Sequence, residues 1–151
     1  MIKEPTRYEQ RIGDYMETMQ LSLKERKAIW GRLGCHKLLL GRTIKDIFLC
    51  NGMPAVGQDN MSSLWVFTSD AASELRDGIS HIEIDFKSHR DVQYVKLVAR
   101  ESDLFSVGGN SSMTVHVAYV GGHTATLAAY GSNCLQLMTM FRKYFSRRMS
   151  P

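Results

Sequence analysis

The stretch SMTVHVAYVGGHTATLAAY, residues 112–130, decides the fold class, because apolar side chains recur at every second position on both sides of a glycine pair. That period belongs to a β-strand with one buried and one solvated face, and Gly121-Gly122 folds the two strands back on each other. The length of the turn fixes the faces. A two-residue turn would set Val115 and Val117 beside Thr126 and Ala128. A three-residue turn over Gly121, Gly122 and His123 sets Met113, Val115, Val117 and Tyr119 beside Ala125, Leu127 and Ala129. It leaves Thr114, His116, Thr126 and Tyr130 on the opposite, polar side. Only the second arrangement gives one apolar face, so the spacing predicts it.

Working outward, similar apolar runs at residues 36–40, 43–50, 63–68, 81–86 and 92–99 bring the count to seven short strands. Residues 36–40 fit a continued helix equally well. Residues 69–76 read as two turns of helix, and the turn formers of 51–62 as a loop. At the N-terminus, Thr6 and Glu9 form a capping box ahead of a stripe of Tyr8, Ile12, Tyr15, Met16 and Met19. A second box, Ser22 and Glu25, restarts a helix that Gly34 is expected to stop. The chain closes with an amphipathic helix capped by Ser132, with Cys134, Met138, Phe141 and Phe145 facing the sheet. The class is α+β: an antiparallel sheet, an N-terminal helical segment over 1–34, and a body over 35–151 that completes one compact domain.

The 151 residues are 44% hydrophobic and 23% charged, which excludes disordered and fibrous classes. No apolar run is long enough to span a bilayer, and the first residues lack the apolar core of a secretory signal. Cys35, Cys50 and Cys134 are odd in number and widely spaced, which points to a reducing, cytoplasmic setting without disulfides.

Charge is uneven. Residues 22–45 hold seven basic side chains against Glu25, and the last 21 residues add Arg142, Lys143, Arg147 and Arg148 with no acid. Residues 46–130 carry ten acids and five bases. If the two basic ends meet, they form one positive surface.

Signals for chemistry are weak. His81, Glu83 and Asp85 fall on one face of a strand and could hold a metal with His89 or His116, but a half-buried strand has the same pattern. Gly108-Gly109 and Gly121-Gly122 fit hairpin turns better than phosphate loops. No G-x-S-x-G elbow occurs, and Cys35-His36 lacks a second ligand pair. No catalytic residue, metal or cofactor is expected. The nine methionines fit core filling.

Seven strands and a closing helix make an element order that resembles a pleckstrin-homology-type barrel. The basic pattern of its phosphoinositide-binding members, K-x(n)-[KR]-x-R, is met by Lys37 and Arg42, with Ile44 at the last place. A cone-shaped NTF2-like α+β fold is the alternative.

The expected function is a non-catalytic interaction module. Lys37, Arg42 and Lys45, supported by Arg142, Lys143, Arg147 and Arg148, would dock on an acidic or phosphorylated protein or an anionic membrane surface. One alternative is nucleic-acid binding, with Lys24, Lys27 and Arg32 on the second helix of a helix-turn-helix. The other is a small enzyme or ligand pocket built from His81, His116 and Tyr130.

Overall fold

The computed structural model describes residues 7–50, 63–77, 82–99 and 111–145. Helices α1 (Arg7–Thr18) and α2 (Leu23–Leu40) lead into strands β1 (Asp46–Leu49), β2 (Ser63–Phe67), β3 (Ala71–Asp77) and β4 (Ile82–Ser88). A 3-10 turn (His89–Asp91) carries the chain into β5 (Val92–Ala99), β6 (Ser112–Tyr119) and β7 (Thr124–Tyr130). Helix α3 (Asn133–Met140) and a π-helical turn (Phe141–Phe145) follow. The fold is α+β with antiparallel pairing, and its strands form two sheets, β1-β2-β3-β4 and β5-β6-β7.

Side chains of β1 and β2 are apolar both ways, so these two strands are buried on both faces. Ile47, Leu49, Leu64, Val66 and Leu75 pack on Ile12 and Met16 of α1 and Ile29 and Leu33 of α2. Phe48, Trp65, Phe67 and Ala72 point the other way, into a core shared with Val95, Met113, Val115, Val117 and Leu127 of the second sheet. Cys134, Leu137, Met140 and Phe145 bring α3 and the following turn onto that core; of the predicted stripe Cys134 and Phe145 are buried, while Met138 and Phe141 pack against the core half-buried.

In the β6–β7 hairpin, Met113 pairs with Ala129, Val115 with Leu127 and Val117 with Ala125, so the predicted apolar face is present. The turn lies one residue earlier than expected, over Val120, Gly121 and Gly122. The Tyr119 N–H donates to the His123 carbonyl at 2.8 Å, and the Val120 N–H donates instead to the Asp91 carbonyl at 2.7 Å. Both glycines take positive φ, 96° and 86°, which explains the residue type.

Three local expectations are corrected. Gly34 does not stop α2, and residues 36–40 are helical. Ile29, Leu33 and His36 continue one buried stripe, and the helix ends at Gly41, whose φ of 61° is left-handed and whose N–H donates to the Lys37 carbonyl. The Ser22–Glu25 capping box is present as predicted. Residues 71–76 are strand rather than helix, because β3 is hydrogen-bonded between β2 and β4 and that pairing overrides local propensity. Finally, the Ser132 side chain makes no capping hydrogen bond; Gly131 at φ 67° turns the chain, and its carbonyl accepts from the Cys134 N–H. The capping box at Thr6 and the loop at 51–62 lie outside the described residues.

A seam of side chains closes the free edge of β1. Asn133 Nδ2 donates to the Leu49 carbonyl at 2.8 Å and Gln136 Nε2 to the Ile47 carbonyl at 3.0 Å. The Leu49 N–H donates to the Tyr15 hydroxyl, which itself donates to Asn133.

The helix end is testable with two alanines. Gly41→Ala forces a side chain into the left-handed region and should destabilise by about 1 kcal/mol. At Gly31 an added Cβ meets nothing within 4 Å, so Gly31→Ala should stabilise by about 0.5–1 kcal/mol. Urea unfolding midpoints should move in opposite directions, whereas a helix ending at Gly34 would leave Gly41→Ala neutral.

Candidate functional site: a groove between the N-terminal helices

Between α1 and the middle of α2 lies a groove of about 760 Å³, lined by Tyr8, Glu9 and Ile12 from α1, Trp30, Leu33, Gly34 and Lys37 from α2, and Thr43 and Ile44 beyond it. Ile12, Leu33 and Ile44 are buried and form its base, while Trp30, Gly34, Lys37 and Thr43 are exposed at its rim. The size and the apolar lining with a few polar groups are those of a binding site. Beside it, the solvent side of α2 carries Leu23, Leu38 and Leu39, together with Lys24 and Lys27.

The cations singled out from the sequence have different surroundings. Lys37 sits on the rim of the groove, on a helix, so Lys37, Arg42 and Ile44 do not form a pattern across two strands. Arg42 pairs with Asp70 and lies over the Phe86 ring, 4.7 Å from its centroid. The Arg42 and Thr68 hydrogen bonds hold the Asp70 carboxyl below its ordinary value. Lys45 is half-buried beside β1, and Arg142 is exposed in the π-helical turn. Lys143 donates to Asp46 at 2.6 Å, and Arg147 and Arg148 lie outside the described residues.

Among the described residues, Asp46 therefore ties α1 to the C-terminal turn without a cation of residues 22–45. Its buried carboxylate accepts from Arg11 of α1 at 3.1 Å, from Lys143, and from the Tyr144 hydroxyl. Burial and Asp46 push the Tyr144 hydroxyl well above the usual phenol range.

Of the expected residues, those whose side chains the structure describes lie apart. His116 lies exposed on the outer face of the second sheet, with Nδ1 3.2 Å from Thr126 Oγ1. Tyr130 pairs with Ser112, four residues along the strand from His116, or about 13 Å. His89 stacks on Tyr144 with its Nε2 3.3 Å from the Thr68 carbonyl. His81 lies outside the described residues, and Glu83 and Asp85 occupy register positions opposite Arg76 and Glu74.

A serine and a histidine do meet: His36 Nε2 is 3.1 Å from Ser73 Oγ. Both residues are fully buried and neither lines the groove. Burial pushes the Cys50 thiol up to about 12, which keeps it protonated. Among the described residues, no three His, Cys, Asp or Glu side chains gather as a metal site requires. No helix there is long and apolar enough to cross a membrane.

Sequence reasoning missed Tyr8, Trp30, Gly34 and Ile44 as groove residues. The available signal was α2 itself, which carries leucines and a tryptophan on the side away from its buried stripe. Comparison with known protein families, curated proteins and solved structures finds no match for this chain.

Two outcomes test the polar framework. Asp46→Ala should destabilise by roughly 1–3 kcal/mol, because the half-buried Tyr144 hydroxyl loses its acceptor, while Lys143→Met should cost less, its ammonium being partly solvated. Equal effects in chemical unfolding would contradict that ranking. Burial, then the nearby Arg42 charge, lowers His36 from its ordinary 6.5. The unfolded chain therefore binds the extra proton first, and stability falls as pH drops through about 6.5 towards the folded value. His36→Gln should flatten that part of the stability–pH curve, measured by urea unfolding between pH 7.5 and pH 5 as an order-of-magnitude window.

Proposed function

We propose that this chain is a non-catalytic docking module that binds an acidic partner protein through the solvent side of α2. One observation carries this reading: Lys24, Lys27 and Lys37 are exposed on one helix and make no ion pair among the described residues. Leu23, Trp30, Leu38 and Leu39 are exposed around them. Cations without a carboxylate partner steer an acidic surface, and the apolar side chains between them hold it once desolvated.

Arg42 and Lys143 already face carboxylates, so they are assigned a smaller share of the docking charge than Lys37. Lys45, half-buried beside β1, and Arg142, in the π-helical turn, lie on other elements than α2.

Poly-glutamate is a sufficient probe. Its binding should weaken roughly tenfold between about 0.05 M and about 0.3 M salt, and the triple variant Lys24→Gln/Lys27→Gln/Lys37→Gln should remove most of it. Binding indifferent to salt and to these lysines would refute the proposal. Duplex DNA held more tightly than poly-glutamate, through the same lysines, would favour the nucleic-acid alternative.

A further inference from the structure

Helix α2 has no single apolar face. Ile29, Leu33 and His36 are buried against the sheet, yet Leu23, Trp30, Leu38 and Leu39 are exposed, with Leu38 at 85% of its free surface. A helix apolar on both sides calls for cover on both sides. Within it stand Gly31 and Gly34, two residues less favourable than alanine in a helix interior. An added Cβ at either meets no atom within 4 Å, so packing inside this chain does not require glycine there. The residues at 23, 27, 30, 34 and 37 step by four and three, and thus share one stripe: Leu23, Lys27, Trp30, Gly34 and Lys37. That stripe runs into the groove against Tyr8 and Glu9.

We propose that the groove receives an acidic amphipathic α-helix of a partner protein, an inference that rests on the docking role above and specifies its ligand. Gly34 lets a helical backbone approach α2 closely, where a side chain would hold the axes apart. An apolar side chain of the incoming helix would enter over Leu33 and Ile44, beside the Trp30 ring. Its carboxylates would meet Lys27 and Lys37. A second copy of this chain is a poor occupant, because pairing two α2 faces sets lysines against lysines. A lipid surface would touch the projecting leucines and leave the recessed base empty.

The test uses the full chain and a synthetic helix of glutamate, alanine and leucine with its leucines on one face. The controls are a scrambled peptide of the same composition and phosphatidylserine–phosphatidylcholine vesicles. Trp30 is the reporter, since Trp65 is 1% exposed, and Trp30→Phe identifies its signal.

The amphipathic peptide should shift Trp30 emission to the blue, gain helical circular dichroism on binding, and bind at least roughly tenfold more tightly than the scrambled one. Gly34→Phe, which fills the groove, should weaken it by roughly tenfold or more, and Lys27→Gln/Lys37→Gln by several-fold at low salt. Gly34→Met, a smaller obstruction, serves if thermal unfolding shows Gly34→Phe misfolded. Equal binding of both peptides, or of wild type and the groove-filled variants, overturns the groove assignment while leaving acidic docking intact. If neither lysine matters, docking itself fails. Vesicles that bind through α2 more tightly than the peptide overturn the helix ligand in favour of a membrane.

Discussion

Strands β1 and β2 carry apolar side chains on both faces and can leave neither in water, and the rest of the molecule follows from covering them twice. Ile47, Leu49, Leu64 and Val66 draw α1 and α2 onto one side. Phe48, Trp65 and Phe67 draw the second sheet and α3 onto the other. The aromatic stack continues from Phe67 to Tyr144, with ring centroids 4.5 Å apart, and Phe145 meets Phe67 edge-on. This contact pulls the C-terminal turn across the sheet and delivers Tyr144 and Lys143 to Asp46.

Asp46 and the β1 seam then decide which surfaces remain available. An unpaired strand edge is a template for another strand, but here Asn133 and Gln136 take carbonyls of β1 and Tyr15 takes an N–H. The same seam ties α1 and α3 to one strand. It also gives Arg11 and Lys143 a shared carboxylate, so these two cations are matched where α1 meets the C-terminal turn. The lysines of α2 lie away from that seam and keep their charge for solvent or for a partner.

Much of this was legible in the sequence, and the exceptions have physical causes. Strand alternation gave the hairpin faces because parity survives a one-residue error in the turn, which the Val120 N–H bond to Asp91 produced. The Ser22 box was legible because capping is local. Residues 36–40 were ambiguous because Leu38, Leu39 and Leu40 show no period, and because buried His36 does not read as apolar. Residues 71–76 have helix-forming composition, and only their two strand neighbours, distant in sequence, decide otherwise. Charge at the site was half legible. Lys37 could be named, but the partners of Arg42 and Lys143 stand 28 and 97 residues away, beyond any local pattern. The groove was hidden because its walls come from two helices whose packing is set by the sheet beneath them.

Each feature of the outer side of α2 has an ordinary explanation when taken alone. Exposed leucines are common on protein surfaces, lysines keep a surface soluble, and a mid-helix glycine is tolerated. These explanations do not combine. Solubility accounts for Lys24, Lys27 and Lys37 but argues against Leu38 and Leu39 beside them. Helix stability argues against Gly31 and Gly34, and the open space around both removes internal packing as their cause. A surface that is covered part of the time by an anionic helix accounts for all three residue types: leucine and tryptophan for burial, lysine for charge, and glycine for close approach of a second backbone.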